Sequence, residues 1–417
     1  MTSVGSSDRR FRAVTSSQVP GSSDGRRPLG NSIPGVYARL GVRPIINAGS
    51  WLTALGGSLM APEVLRAMEE ASTAFIDLRA LQTAAGEVLA RACGAEAGFV
   101  TGGAAASNVL MAAACMTGDN PSKIDQLPDS SGMKNEVVLF NGHENHYDSN
   151  YEVPGATIVR WGSSRPEHSG DFATDNIQAQ LKQAFSDQTC AMAWVSAPFM
   201  RDPMPFREAA AIARERAIPV IVDAAAEVPP AENLTRFIND GADMVGYSGG
   251  KGIGGPQGSG ILVGREDLVL AAYENHLNSR GTRAGIGRSS KASKEDIVGL
   301  VTAIQIFTDA DHEAVWAGWR AGAEHIVERL KGIDGLRIAL EDGDPNRQGP
   351  QPVIYFESDW DGPNPGEVRA ALLAGDPAIH VGEGGYGDEI NIVMVNVQSG
   401  EERIIADRLE EILVKEN

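Results

Sequence analysis

Cysteine, basic charge and long apolar runs are all scarce in this sequence, and each shortage removes a class of protein. The only cysteines are Cys93, Cys115 and Cys190. An odd number with no C-x-x-C pair supports neither a disulfide framework nor a zinc site, and a reducing cytoplasm is the expected compartment. No apolar run approaches the roughly eighteen residues of a membrane span, and the opening MTSVGSSDRRFRAVTSSQVPGSSDGRRPLG has no apolar core of the signal-peptide kind. Rich in Ser, Gly and Arg, residues 1–32 are expected to form a disordered tail. Lys and Arg number 36 against 55 Asp and Glu, for a net charge of -19. That balance argues against a large nucleic-acid partner, because neutralising phosphates takes clustered cations. A small anion in a local basic pocket stays compatible with it.

What is present is length and alternation. The 417 residues suffice for a large core and a second lobe. Short apolar runs rich in β-branched residues, at 98–102, 136–140, 156–161, 190–196, 218–224, 242–248 and 258–264, alternate with helical patterns. This predicts an α/β domain with crossover helices. Residues 104–116, AAASNVLMAAACM, come directly after a Gly-Gly turn and predict a helix. Ser293 to Asp296 reads as a capping box ahead of an apolar stripe at Ile297, Leu300, Val301, Ile304 and Phe307. Beyond it, a helix at 311–331, strands near LRIAL and PVIYF and a closing helix at 400–415 predict a smaller C-terminal α+β lobe. The expected plan is a tail at 1–32, an N-terminal segment at 33–75, a large domain at 76–295, and a linking helix with the small domain at 296–417.

The stretch GYSGGKGIGG, residues 246–255, satisfies several chemical patterns at once. It fits the G-x-S-x-G nucleophile elbow and the G-x-G-x-x-G dinucleotide fingerprint, but both require a helix after the turn. The chain instead continues as GIGGPQGSGILVG, a turn into another strand. A P-loop fails as well, since Gly252 stands where Ser or Thr is needed. Lys251 is left, as a reactive amine or as an ordinary surface lysine. Three other features bear on that choice. Asp223 ends the apolar strand IPVIVDA, where a carboxylate serves either as a helix cap or as partner to a protonated ring nitrogen. The turn Gly102-Gly103-Ala104 delivers small residues to a helix start, which suits a phosphate, and the Ser248 hydroxyl could join it. Asn141-Gly142-His143-Glu144-Asn145-His146 does not match H-E-x-x-H, so no metal is expected. An imidazole there could stack on a flat cofactor, with His143 the first choice and His146 the second.

On these residues the chain resembles pyridoxal-phosphate-dependent enzymes of fold type I, in the group similar to selenocysteine synthase (L-seryl-tRNA selenium transferase) and D-glucosaminate-6-phosphate ammonia-lyase. The likeness runs from about residue 35 to 310 through INAGSWLTALGGSLM, AGEVLARACGAEAGFVTGGAAASN, VIVDAAAEVPP, MVGYSGGKGIGGPQGSGILVGRED and IGRSSKASKEDIVGL. It implies a mainly parallel sheet and pyridoxal 5'-phosphate as cofactor. Lys251 would be the Schiff-base lysine, Asp223 would sit on the pyridine nitrogen, and Gly102, Gly103, Ala104 and Ser248 would surround the phosphate. It further implies at least a homodimer, with segment 33–75 at the interface. Arg288, Lys291 and Lys294 stand where the family handles anionic groups, and Thr53 is assigned with Arg288 and Lys291 to substrate. No N-terminal tRNA-binding domain is recognisable, so small-molecule chemistry is expected over transfer to tRNA. Trp51 replaces a residue that is commonly smaller. The expected reaction is α,β-elimination from a hydroxy amino acid or amino-sugar acid, giving a 2-oxo acid and ammonia. Aldol cleavage, racemisation, β-replacement and non-catalytic cofactor binding are the alternatives.

Overall fold

A computed structural model describes residues 35–163, 176–198, 200–277, 281–342, 349–384 and 387–414. The expected tail at 1–32 lies outside them. Seven strands form the larger sheet: β2 (Ala97–Thr101), β3 (Glu136–Phe140), β4 (Thr157–Trp161), β5 (Thr189–Val195), β6 (Val220–Asp223), β7 (Met244–Ser248) and β8 (Gly260–Gly264). Each lies within two residues of its expected ends. In the order β2-β8-β7-β6-β5-β3-β4 only β8 runs against the rest, so six carboxyl ends share one edge.

The strand pattern explains why this sheet is covered on both faces. In β3, Val138 and Phe140 enter one core cluster while Val137 and Leu139 enter the other. The near-continuous apolar runs are those of strands buried on two sides. Helices Leu78–Cys93, Phe206–Arg214, Asn233–Asp240 and Lys294–Asp309 supply the first cluster, and Ala104–Thr117 with Glu266–Leu277 the second. Each fully buried Val, Leu or Ile contributes about 1.5–3 kcal/mol. Ser293 and Asp296 make the reciprocal capping box that starts Lys294–Asp309.

The smaller sheet contains a strand that the sequence did not announce. β1 (Ile45–Ala48) pairs in parallel with β11 (Ala378–Glu383), which continues through β12 (Glu389–Asn391), β10 (Gln351–Phe356) and β9 (Leu336–Glu341). Arg43 fixes this entry by donating to the Gly375 and Leu373 carbonyls, both at 2.9 Å. These lie at the end of helix Pro365–Ala374, where a cation meets the negative pole of the helix. The chain then crosses to the larger sheet. Gln257 Nε2 donates to the Thr53 carbonyl at 2.9 Å, and Asn396 Nδ2 reaches the Ser50 and Gly57 carbonyls, both at 3.1 Å. Residues 49–58 thus tie the two sheets together beside Lys251.

Candidate active site

The carboxyl edge of the larger sheet collects most of the candidate residues. Asp223 closes β6 on the same side as Ile221, which faces helix Ala104–Thr117. From that helix Asn108 Nδ2 donates to Asp223 Oδ2 at 2.6 Å, and the Ala225 amide donates to Oδ1 at 3.0 Å. The carboxyl is only 6% exposed. Burial raises its pKa above the ordinary aspartate range, while these hydrogen bonds and the Lys251 charge oppose the rise. Lys251 is the complementary case. Burial lowers its ammonium pKa and the Asp223 carboxylate pulls it back. A desolvated amine and a buried acid therefore tune each other.

The hairpin that carries Lys251 has the shape that excludes its two glycine motifs. After β7 the Gly254 amide donates to the Lys251 carbonyl and Gly249 to Ser259, both at 2.9 Å, before the chain returns as antiparallel β8. No helix comes after the turn. Ser248, the last residue of β7, lies opposite Gly260 in the register and is half-buried. Across β8, Gly103 has φ +114°, a conformation that favours glycine, and opens helix Ala104–Thr117 without a side-chain cap. The first amides of that helix are thus available to an anion. A side chain at Gly102 would run into the Ser290 carbonyl, so the loop Ile286–Ser290 packs directly on this turn.

The remaining candidates divide. Arg288 and Lys291 are exposed on or beside that loop, near the Gly102 turn and absent from the lining of the cavity at Lys251. Lys294 is engaged elsewhere, donating to the Ala71 carbonyl and pairing with Glu295 at 2.7 Å. Thr53 is exposed in a short 3-10 turn and meets the Lys251 hairpin through its own carbonyl.

The His143 ring is 0% exposed, in T-shaped contact with Phe140 and Trp194 with centroids at 5.2 and 4.8 Å. Its Nε2 pairs with Asp202 Oδ1 at 3.0 Å, and Nδ1 is buried without a partner. His146 is exposed outside this packing. Sequence reasoning missed Asp202 and gave Asn108 no role. The signal for Asn108 was its place one helical turn beyond the Gly-Gly turn; Asp202 left none.

Next to Lys251 lies a cavity of about 260 Å³ whose walls come from the Lys251 turn, helices Lys294–Asp309 and His312–Leu330, and the crossing segment. Trp51, Ile253, Phe307, Val315 and Trp319 line it. Among the described residues no group of three or more His, Cys, Asp and Glu could hold a metal ion, and no helix is long and apolar enough to cross a membrane.

An uncapped helix start, a buried acid and a desolvated amine on one sheet edge fit the requirements of pyridoxal 5'-phosphate together. Asn108 Oδ1, buried and without a partner beside Asp223, marks a polar site that the protein's own groups leave incomplete. Fold and site define a pyridoxal-phosphate enzyme of fold type I. A family model described as aminotransferase class-V matches residues 178–354. The D-glucosaminate-6-phosphate ammonia lyase of Salmonella typhimurium is 31% identical over 386 residues, covering 91% of this chain and 98% of the relative. A 5'-C-glycyluridine monooxygenase-decarboxylase of Streptomyces is also 31% identical, over 91% of this chain and 92% of its own. An L-seryl-tRNA(Sec) selenium transferase of Solidesulfovibrio magneticus is 24% identical over 81% of this chain and 75% of its own. A solved D-glucosaminate-6-phosphate ammonia-lyase structure superposes with a TM-score of 0.77 at 31% identity, covering 91% of this chain and 98% of that one. The chain belongs to the family of pyridoxal-phosphate enzymes that includes this ammonia lyase.

Proposed function

We propose that the protein is a lyase removing the β-hydroxyl and the amine from a hydroxy amino acid or amino-sugar acid, leaving a 2-oxo acid and ammonia. The observation that carries this is the Lys251–Asp223 arrangement, read with the 31% identity to an ammonia lyase along nearly the whole chain. Pyridoxal phosphate, when bound, supplies the electron sink that lets the bond from Cα to hydrogen ionise. Asp223, its two oxygens fixed by Asn108 and Ala225, would hold a proton at the ring nitrogen. Lys251 would hold the cofactor and would be placed to take the Cα proton, and desolvation favours the neutral amine this needs. The same ammonium can then protonate the departing hydroxyl. Gly102, Gly103, Ala104 and Ser248 are assigned to the phosphate, and Arg288 and Lys291 to an anionic group beside that turn. Asp202 positions the buried His143 ring through its Nε2.

A homodimer or higher homo-oligomer in the cytoplasm belongs to the same proposal. Support comes from exposed apolar side chains in the N-terminal segment: Tyr37, Leu40, Leu59, Leu65 and Phe75, the last fully exposed. A second reading, oxidative decarboxylation, is favoured by the equal identity to the Streptomyces relative. The test is a screen of hydroxy amino acids and amino-sugar acids against the holoenzyme, recording ammonia, 2-oxo acid and oxygen uptake. Ammonia and 2-oxo acid without oxygen uptake support the lyase; carbon dioxide with oxygen uptake supports the second reading. Racemised or aldol products alone contradict both.

A further inference from the structure

The cavity beside Lys251 is built for a side chain unlike a sugar phosphate. Trp51, Leu59, Pro229, Ile253, Phe307 and Val315 give it apolar walls. Four of its polar side chains already donate to backbone carbonyls. The Ser58 hydroxyl donates to Gly250 at 3.1 Å, Asn396 Nδ2 to Ser50 and Gly57 at 3.1 Å, Gln398 Nε2 to Asn396 at 2.8 Å, and His312 Nε2 to Phe307 at 2.8 Å. Among the described lining residues there is no Arg, Asp or Glu, and the single cation, Lys251, is required by the cofactor. A phosphate entering here would lose water with no second cation on the wall to meet its charge. An apolar ring would gain by the same burial.

We infer that this cavity holds the non-reacting part of the substrate and selects an aryl or branched alkyl group, so that the substrate is a β-hydroxy α-amino acid with an apolar group on Cβ. This rests on the lyase reading above. The bonds from Cα to hydrogen and from Cβ to oxygen break and water leaves; hydrolysis returns one water and releases ammonia, so the 2-oxo acid forms with no oxidant. Lys251 on the cavity wall lets the reacting carbon stay at the lysine while the apolar group extends toward Trp51 and helix His312–Leu330.

The test has two arms, both on full-chain holoenzyme. In the binding arm, phenylalanine, alanine and 2-amino-4-phosphonobutyrate, each as both enantiomers, are titrated against the visible cofactor band. Phenylalanine is expected to half-saturate at a concentration at least about tenfold below the other two. Equal affinities, the result if a segment of a second copy fills the cavity, or tighter binding of the phosphonate would overturn the inference. In the turnover arm, ammonia release from 3-phenylserine is compared with serine. The kcat/KM ratio should favour phenylserine and fall about tenfold in Val315→Arg, at a position 41% exposed and tolerant of a charge. A ratio favouring serine, or one unmoved by that substitution, contradicts the inference. No ammonia from either substrate, with the binding order intact, would sink the lyase reading and leave the apolar cavity standing.

Discussion

Two basic stretches meet the carboxyl edge of the larger sheet, and they differ in one physical respect. Lys251 lies in a tight hairpin, is largely desolvated and faces a buried acid; Arg288 and Lys291 lie on or beside the loop Ile286–Ser290 and are exposed. Water screens the second pair. The first is chemically changed because burial penalises its charged form. Clustering of cations in the sequence points to the loop, and desolvation points to the hairpin. The proposed function places the chemistry with desolvation.

The largest effect should come from removing the reactive amine. Lys251→Ala is expected to abolish the visible cofactor band and to lower turnover by about 10³-fold or more, read by absorption and ammonia release. Next comes the acid. Asp223→Ala deletes the proton holder and leaves Asn108 facing an empty site; turnover should fall by about 10²–10⁴-fold. Stability should drop by about 1–3 kcal/mol, read from the urea midpoint.

A smaller effect sits beneath the basic loop. His276 is 2% exposed, and burial, opposed by a backbone contact at Ser290 and aided by the Arg288 charge, pushes its pKa down to about 4. Because the unfolded chain takes up this proton near pH 6.5 and the folded one does not until about 4, stability falls as pH drops across that window. The loss should total about 3 kcal/mol and level off below it. His276→Phe, beside Phe99 and Tyr273, should flatten that limb when urea midpoints at pH 4.5 and 7.5 are compared, on the order of that same difference. The smallest effect is Arg288→Ala, expected within about 0.5 kcal/mol of wild type in stability. Any activity change should appear in KM and weaken with salt. A large kcat loss there would break the contrast between hairpin and loop.

Much of this was legible in the sequence, for reasons that differ by residue. The seven strands of the larger sheet announce themselves because burial on both faces makes each a continuous apolar run, and Asp223 stands out as the acid ending one. Lys251 emerged because its turn leads into a strand. β1 was not legible: four residues, Ile45–Ala48, find their partner more than three hundred positions away in Ala378–Glu383. Local pattern carries no trace of such a pairing. Asp202 was hidden for the same reason, meeting His143 fifty-nine positions away through the fold alone. The sequence could name a histidine at the end of β3 but not that Trp194 and Phe140 would enclose it.

The central claim is that Lys251 alone among the lysines carries the cofactor. Borohydride reduction of the protein after incubation with pyridoxal phosphate, followed by peptide mass analysis, tests it directly. The expected result is one pyridoxyl group per chain on the peptide containing Lys251, and none on that peptide in Lys251→Ala. A stoichiometric label on Lys291, Lys294 or any other lysine, or no label at all, would contradict it.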